Sequence, residues 1–531
     1  MKGKLRLRLL IAALALAVVA ANTPVVYAAA KDAMRQARLH SVEYESRMGR
    51  WDVLRTKAPL RSVHAALLHD GRVLLAAGSG NNRAAFEAGK FSTAVWNPQT
   101  GRFSDVPTPW DMFCAGHSFL PDGRLLVAGG TKEYESQDGK LPFKGLRDSY
   151  LFDPATSTYT RVQDLNAARW YPTLVSLGSG NVVAVAGLDE HGKQVKGITE
   201  VFHPGDRTWN VRTDLEQWFP TYPNMILMAD GRLFYSGVGS GNGTVADHPP
   251  GIWNLATNGY QPVPGLPYPL HRDEGTTVLL PPAQQQKVLV LGGGKPGGDL
   301  HEPATATTAV VDLRKQFPAF RRGPDLSARK RYVSAVILPD RTVLQTGGSA
   351  LYRNAGADVL DAQLYNPWTN KLTGVASPTV GRNYHSEALL LPDGRVATFG
   401  GNPLDNSFEQ RIEVYSPPYL YRGQRPAITA APTAVGYGTA VTVRTSQAAP
   451  LRTFALVRPS AVTHSTDTEQ RLVDVPFQPT PTGARLAMPR NPNIAPPGWY
   501  MLFALDAKGV PSVASWVRSA DSGHRPSRRV L

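Results

Sequence analysis

The hydrophobic and polar positions of this chain follow one pattern that recurs seven times. A short apolar run rich in β-branched residues is followed by a polar turn, most often Asp-Gly, and then by a second apolar run that ends in glycine. Two such runs joined by a turn pair predict a β-hairpin. The first glycines of the seven segments, separated by 50 to 58 residues, are Gly78, Gly129, Gly187, Gly237, Gly292, Gly347 and Gly400.

A further strand with its own turn follows most of these hairpins, as in "VWNPQTGRFS" from residue 95 and "LFDPATSTYT" from residue 151. About four short strands in each ~50 residues, with paired glycines, are typical of kelch-type repeats, which assemble into β-propellers. We therefore expect an all-β chain with a seven-bladed kelch-type β-propeller over residues 51–424.

The repeat stops after residue 424. Residues 425–521 contain short alternating strands separated by proline and glycine, such as "TAVTVRT" and "GWYMLFALD". This pattern predicts a second domain, an immunoglobulin-like β-sandwich. The last residues, 522–531, form a basic tail.

The N-terminus has the pattern of an export signal. Four basic residues precede an apolar run from Leu9 to Ala21, and the small residues of "VYAAA" follow. Such a pattern is typical of a secretory signal peptide, and the run is shorter than the ~20 residues of a spanning helix. We expect residues 1–30 to direct secretion, either as a cleaved signal or as an uncleaved anchor at the cell surface. Residues 31–50 are polar and predict a helical stalk.

The distribution of charge along the chain argues against nucleic acid as a partner. The 57 Lys and Arg residues exceed the 42 Asp and Glu residues and give a formal net charge of +15. These basic residues are scattered, many at Asp-Gly-Arg turns, and no basic stripe alternates with aromatic residues. The distribution argues against nucleic-acid binding and favours anionic or glycan polymers outside the cell, or solubility alone. We expect a monomer.

The chain contains a single cysteine, Cys114, and therefore cannot form an internal disulfide. In an exported protein such a thiol is a buried apolar residue, an intermolecular link or a reactive group. Equivalent positions of different propeller blades converge near the axis, so the other repeats show what surrounds it. The residues fifteen or sixteen positions before the repeat glycines are Cys114, Tyr171, Tyr222, Tyr332, Tyr384 and His385.

A Tyr-His pair beside a second imidazole and a second phenol offers two nitrogen and two oxygen ligands. Such a set in tetragonal geometry suits Cu(II). The unperturbed pKa of a phenol is near ~10, so the positive charge of a metal is needed to ionise it at neutral pH. The sequence therefore indicates a copper site beside an oxidisable side chain.

Three separated motifs resemble the galactose oxidase and glyoxal oxidase family of copper radical oxidases. They are "DMFC" followed by glycine two residues later, "GRNYHS" and "PNIAPPGWYMLFALDAKGVPSVASWV". The resemblance covers nearly the whole mature chain, and "ARWYPT" is closer to bacterial glyoxal oxidase-like members. It implies a thioether between Cys114 and Tyr171, and one copper ion. The copper ligands that it implies are Tyr171, Tyr384, His385 and, from a loop of the C-terminal domain, His464.

The tryptophan that stacks on the thioether in galactose oxidase is not found at the corresponding place after Tyr171. Several other residues are candidates for a shield, for orienting a ligand or for holding substrate, and each has an ordinary structural alternative. These residues are His117, Trp170, Trp218, Trp253, Arg272 and Arg382.

The resemblance implies a two-electron oxidation. Tyr384 accepts the substrate proton, the Tyr171–Cys114 radical takes a hydrogen atom from the substrate carbon, and dioxygen leaves as hydrogen peroxide. Small aldehydes are favoured as substrates, with primary alcohols and a surface glycan terminus as alternatives. A different class, a non-catalytic kelch propeller that binds glycan or protein, stays open. No nucleotide motif is found, and no Ser-His-Asp arrangement supports a hydrolase.

Overall fold

The computed structural model describes residues 27, 31, 39–241, 248–296, 300–446 and 450–519. Apart from residue 27, the signal segment of residues 1–30 lies outside the described residues, and so does the basic tail. Within the described ranges, no helix combines the length and apolar character that a membrane crossing requires.

Within the described part of residues 40–519, helices are few and short. The α-helices there are α1 (Val42–Met48) and α2 (Arg83–Glu87), and the 3-10 turns are Pro269–His271, Ala283–Gln285, Ala355–Ala357 and Pro418–Tyr421. Ser41 caps α1 by accepting a hydrogen bond from the Tyr44 amide. Helix α1 lies in the segment expected to be a stalk, and it packs against the 3-10 turn at Pro418–Tyr421. The expectation of an all-β chain is confirmed.

Seven antiparallel sheets occupy residues 50–416, and strands are numbered in chain order from β1 (Arg50–Lys57). The first sheet contains β2 (His64–Leu67), β3 (Val73–Gly78), β4 (Ser92–Trp96) and β5 (Phe103–Val106). The second contains β6 (Gly116–Phe119), β7 (Leu125–Ala128), β10 (Ser149–Asp153) and β11 (Thr158–Arg161), with a separate ribbon of β8 (Thr131–Glu133) and β9 (Lys144–Gly145). The third contains β12 (Thr173–Ser176), β13 (Val182–Val185), β14 (Thr199–His203) and β15 (Thr208–Arg212).

The remaining four sheets continue the same order. The fourth contains β16 (Met225–Leu227), β17 (Leu233–Tyr235), β18 (Gly251–Trp253) and β19 (Tyr260–Pro262). The fifth contains β20 (Thr276–Leu279), β21 (Lys287–Leu291), β22 (Thr308–Asp312) and β23 (Arg321–Arg322). The sixth contains β24 (Ser334–Ile337), β25 (Val343–Thr346), β26 (Gln363–Asn366) and β27 (Lys371–Gly374). The seventh contains β28 (Ser386–Leu390), β29 (Val396–Gly400) and β30 (Arg411–Ser416), with β1 as its fourth strand.

The seventh sheet joins the two ends of this region. Strand β1 pairs antiparallel with β30, so that Arg50 lies opposite Ser416 and Trp51 opposite Tyr415. The first strands of neighbouring sheets also contact one another, as β6 does with β12, β24 with β28, and β28 with β2. The sheets therefore bring the starts of their first strands close together.

The C-terminal region forms two further sheets, in agreement with the predicted sandwich. One contains β31 (Ile428–Ala430), β33 (Ala440–Thr445), β38 (Phe477–Thr480) and β39 (Gly483–Ala487). The other contains β32 (Ala434–Val435), β34 (Leu451–Val457), β37 (Leu472–Val475), β40 (Gly498–Asp506) and β41 (Ser515–Ser519).

One hairpin leaves the sandwich and enters the first sheet. It consists of β35 (Ala461–Thr463) and β36 (Thr466–Asp467), and Thr463 lies opposite His64 of β2. At its base the buried Arg458 and Glu469 form an ion pair, and Glu469 also accepts a hydrogen bond from Ser118 of β6. This buried pair connects the hairpin to the second sheet.

Candidate metal centre

One residue in a left-handed backbone conformation precedes the first strand in six of the seven sheets. Its φ lies between 43° and 64° in Cys114, Tyr171, Tyr222, Glu274, Tyr332 and His385. Non-glycine residues adopt this conformation rarely, and they do so most often at functional sites. Backbone hydrogen bonds connect several of these positions: the Tyr171 amide donates to the Cys114 carbonyl at 3.0 Å, and the Tyr222 amide to the Tyr171 carbonyl at 2.9 Å.

The repeat glycines allow the segments before these strands to approach closely. A side-chain carbon at Gly78 would lie 2.2 Å from an Asp111 carboxylate oxygen and 2.4 Å from the Phe113 amide nitrogen. The Asp111 carboxylate accepts hydrogen bonds from Ser79 and from the Phe113 amide, and thereby fixes the loop that carries Cys114. The position of the thiol is thus set by a glycine of the neighbouring sheet.

The hairpin β35–β36 carries His464 at its tip. Thr463 pairs with Thr466, so that His464 and Ser465 form a two-residue turn in which both residues have positive φ, 48° and 59°. These are the backbone angles of a type I′ hairpin turn, which usually requires Asn or Gly. The sandwich therefore inserts an imidazole in a strained conformation among the first strands of the sheets.

These elements bring five predicted residues to one buried point. The donor atoms of Cys114, His385 and His464 lie within 4.8 Å of one another, and the Tyr171 and Tyr384 hydroxyls are in direct hydrogen-bond contact. None of the five side chains is more than 9% exposed. Tyr222 packs between the rings of Tyr171 and His464 at 4.4 and 4.7 Å. The convergence expected from the repeat is therefore present.

The imidazoles present bare nitrogens to this point. Thr463 Oγ1 donates its only hydrogen to the Val63 carbonyl, so it accepts from His464 Nδ1 at 2.7 Å. His464 Nε2 is then the nitrogen with a lone pair, and it lies 3.8 Å from Cys114 Sγ. His385 Nε2 is buried without a hydrogen-bond partner. Two such nitrogens beside two phenol oxygens fit the donor set and polarity of a copper ion.

Burial shifts the pKa values of these groups toward their neutral forms. It raises the pKa of the phenols of Tyr171 and Tyr384 and of the Cys114 thiol well above their ordinary values. It lowers the pKa of His385 and His464 well below the ordinary value. The Arg353 guanidinium, 4.6 Å from the centre of the Tyr384 ring, acts in the opposite direction on that phenol. A phenolate here thus needs a cation, which a metal ion supplies.

Trp170 covers one face of Tyr171. The two ring centroids are 3.6 Å apart with 7° between the planes, and Phe143 stacks on the other face of Trp170 at 4.5 Å. Of the three tryptophans considered as a shield, Trp170 is the one that lies on the predicted radical residue.

Four of the sequence-based candidates lie elsewhere, and their roles at the site are corrected. Trp253 packs against Phe219 in the fourth sheet, and Trp218 packs against His248 under Lys196. The guanidinium groups of Arg272 and Arg382 donate to backbone carbonyls, as the equivalent Arg169 of the third sheet does. The acceptors are the carbonyls of Pro267, Gly292 and Thr307 for Arg272, and of Thr398, Gly400 and Arg411 for Arg382. These hydrogen bonds stabilise the edges of the sheets. They occupy both guanidinium groups, which are therefore not free to hold substrate.

His117 is buried beside the site and does not orient a ligand. Its ring lies 5.2 Å from that of His64, and neither of its nitrogens has a hydrogen-bond partner in the described structure. Burial lowers its pKa to about 4. His117 is therefore a neutral imidazole within the protein interior.

Sequence reasoning missed several groups that surround the site. Glu274 occupies the repeated left-handed position of the fifth sheet and forms an ion pair with Arg331 at 3.2 Å. Arg353, Asn402 and Asn81 lie in loops behind Tyr384 and His385. The fifth repeat could have revealed Glu274 if its longer turn had been counted.

Replacing Asp467 by asparagine is expected to change the pH dependence of stability. Oδ1 of this buried residue of β36 accepts from the Glu469 and Gln470 amides, and burial raises the pKa of its carboxyl group from the ordinary range to about 7. The folded protein binds this proton more tightly than the unfolded chain, so the wild type loses stability as pH rises from about 4 to 7. An asparagine keeps the acceptor and cannot ionise.

We expect the melting-temperature advantage of Asp467→Asn over the wild type to grow between pH 4.5 and pH 8. The corresponding free energy is on the order of 4 kcal/mol. Calorimetry of metal-free protein measures it, with the exposed Asp122→Asn as control. A constant difference in melting temperature between Asp467→Asn and the wild type from pH 4.5 to pH 8 would contradict the expectation.

Two models of known protein families match this chain, and several other proteins are similar to it. Residues 94–419 match the model of the glyoxal oxidase N-terminus, and residues 425–519 match the galactose oxidase-like early set domain. The chain is similar to an aldehyde oxidase, GLOX, of Vitis pseudoreticulata, with 27% identity over 88% of this chain and 97% of that protein. It is also similar to a WSC domain-containing protein of Arthroderma benhamiae, with 30% identity over 77% of this chain. The matched region covers 46% of that longer protein.

Among solved structures, the fold is similar to that of a fungal alcohol oxidase of the AA5 family, determined in complex with copper. The TM-score is 0.75 at 24% identity, and the match covers 89% of this chain and all of that one.

Proposed function

The chain belongs to the glyoxal oxidase and galactose oxidase family, and from this membership we propose that it is a secreted mononuclear copper radical oxidase. The observation that carries the proposal is the convergence of Cys114, Tyr171, Tyr384, His385 and His464 at one buried point. A propeller that only binds a partner has no need of a thiol, two phenols and two imidazoles at its centre.

The arrangement that we propose for the seven sheets is a kelch-type β-propeller with the site near its axis. Three observations support it: each sheet has four strands from residues 50–416, the first strands of several neighbouring sheets are in contact, and β1 completes the last sheet. The sandwich contributes His464 through the β35–β36 hairpin.

We assign Tyr171, Tyr384, His385 and His464 as the copper ligands. Copper, when bound, supplies a one-electron redox partner and the positive charge that favours phenolates in this buried place. Cys114 is placed to form a thioether with the Tyr171 ring, because the backbones of the two residues are hydrogen-bonded to each other and both side chains lie in one buried cluster. Formation of the thioether would remove one hydrogen from the thiol and one from the ring, with dioxygen as the two-electron acceptor, and would give a protein-derived Tyr-Cys cofactor.

Three side chains have separate roles in the proposed reaction. Tyr384 accepts the proton of the substrate hydroxyl as a general base, since its own hydroxyl lies against that of Tyr171. The Tyr171 radical takes the hydrogen atom from the substrate carbon, and Trp170 excludes water from the ring face that it covers. An alcohol yields an aldehyde, an aldehyde hydrate yields an acid, and dioxygen is reduced to hydrogen peroxide.

Small aldehydes are the substrates that we propose first, followed by primary alcohols. The match to the glyoxal oxidase N-terminus over residues 94–419 and the similarity to an aldehyde oxidase support this order. The signal-like segment of residues 1–30 supports secretion or attachment at the cell surface. A glycan terminus stays open as a substrate or partner, and we propose a monomer.

Copper-loaded protein is expected to release hydrogen peroxide with at least one of methylglyoxal, glyoxal, glycolaldehyde and galactose. The aldehydes should give the higher kcat/KM, in line with the match to the glyoxal oxidase N-terminus and the similarity to an aldehyde oxidase. A coupled peroxidase assay measures this, with metal-free protein as control. No peroxide from aldehydes, primary alcohols or oligosaccharides would favour the non-catalytic propeller instead.

A further inference from the structure

The side-chain oxygen of Asn402 is a junction between three sheets. Asn402 follows β29 of the seventh sheet and is fully buried. Its Oδ1 accepts a hydrogen bond from Asn81 Nδ2 at 2.6 Å and from Arg353 Nη2 at 3.0 Å. Asn81 follows β3 of the first sheet, and Arg353 lies between β25 and β26 of the sixth.

The orientation of the Asn402 amide is determined by its partners. Its Nδ2 donates to the Ser407 carbonyl at 3.0 Å, and a carbonyl can only accept. Arg353 can only donate, so the atom that faces it is the oxygen. The main chain of Asn402 is held as well: its amide donates to the Tyr384 carbonyl at 2.6 Å, and its carbonyl accepts from Arg353 Nε at 3.1 Å.

This oxygen lies 3.3 Å from Nδ1 of His385. Because it already accepts from two donors and has no hydrogen to give, Nδ1 must carry the hydrogen of the neutral imidazole. Nε2 then carries the lone pair, and Nε2 is the buried nitrogen without a partner. The amide thus selects the tautomer that a metal requires at this nitrogen.

The two residues that hold the Asn402 side chain have an unusual backbone conformation. Arg353 has a φ of 44° and Asn81 a φ of 54°. For arginine this conformation is unfavourable, and such strain persists where the surrounding contacts determine it. The same guanidinium that holds Asn402 lies over the Tyr384 ring at 4.6 Å.

We infer that Asn402, held by Arg353 and Asn81, is a positioning residue that fixes His385 as its Nδ1–H tautomer and directs Nε2 at the metal. The inference rests on the proposed function for the identity of the metal, but the tautomer itself does not depend on metal. Loops of three separate sheets must therefore be in place before His385 is ready to bind.

The test compares the wild type with Asn402→Leu, Asn402→Asp and the control Asn366→Leu, which makes the same change in an outer turn. In metal-free protein labelled with ¹⁵N-histidine, the wild type and Asn402→Asp should show His385, like His464, as the Nδ1–H tautomer, and in Asn402→Leu the His385 signal alone should become a mixture of tautomers. In copper-loaded protein, Asn402→Leu should bind copper about 10 to 100-fold more weakly. Asn402→Asp should restore most of that affinity, and pulsed EPR of the remote imidazole nitrogen should change in Asn402→Leu alone.

Each outcome is informative. Unchanged histidine resonances in Asn402→Leu would overturn the inference, as would wild-type copper affinity with an unchanged remote-nitrogen signal. A wild-type protein that keeps the tautomer but binds no copper would leave the positioning role intact and refute the proposed copper oxidase. Loss of affinity in Asn366→Leu to the same degree would show a general effect on folding and count against a positioning role.

Discussion

Cys114→Ser is expected to lose at least about 1,000-fold of the aldehyde-dependent peroxide release while still binding copper. The thiol is not among the assigned ligands, so the four-ligand set remains, but the modified phenol that stores an oxidising equivalent cannot form. A 1,000-fold loss corresponds to roughly 4 kcal/mol of lost transition-state stabilisation. The peroxidase assay and EPR of bound copper measure the two properties on the same sample.

The proposed crosslink can be tested without any substrate. A thioether between Cys114 and Tyr171 lowers the intact mass by two hydrogens and leaves no thiol for alkylation. The closed loop makes the denatured chain more compact, so the wild type should migrate faster than Cys114→Ser on a reducing denaturing gel. Protein expressed without copper should contain a labelled thiol that disappears when copper and air are added. A fully alkylated Cys114 in aerated, copper-loaded protein would refute the radical mechanism.

His464→Ala is expected to lower copper affinity by more than about 100-fold. Loss of a residue that only hydrogen-bonds to a metal ligand already lowers metal affinity about 10 to 100-fold. His464→Ala removes one of the two ligand nitrogens themselves. Titration of metal-free wild type should show one equivalent of tightly bound copper, and competition against a chelator measures the variant. Since the imidazole is at the tip of a two-residue turn, His464→Asn is a suitable second variant, because asparagine tolerates positive φ.

His69→Ala provides the control for this comparison, because His69 stacks on Trp499 outside the site. Its copper affinity should equal that of the wild type. Preferential zinc binding under competition, or tight copper binding by His464→Ala, would contradict the ligand assignment.

The sequence was informative where the repeat has a constant length. Counting back from each glycine identified Cys114, Tyr171, Tyr384 and His385, because a fixed hairpin length places these residues at equivalent points of successive sheets. The fifth hairpin is longer, with the turn Pro281–Gln286 and its 3-10 segment, and this displaced Glu274 from the expected count. A variable turn therefore hid one member of an otherwise regular set.

Other features have no periodic signal at all. Arg353 and Asn402 lie in loops after the repeat glycines, where length and composition differ between sheets, so their meeting depends on tertiary structure. Both readings of Arg272 and Arg382 stayed open, because a buried arginine hydrogen-bonded to carbonyls cannot be distinguished by residue type from one that faces substrate. The resemblance to a known family supplied the role of His464, which lies in a different domain.

The pairing of β1 with β30 also constrains the order in which the molecule can be assembled. Strand β1 is among the first parts of the mature chain to be made, yet its partner is made only after six sheets have been synthesised. Until then one edge of the early strand has no hydrogen-bonding partner, and contacts so distant in sequence form slowly. Since His385 directly precedes β28 of that same sheet and His464 lies in the still later hairpin β35–β36, the residues of the site can meet only after most of the chain has been made.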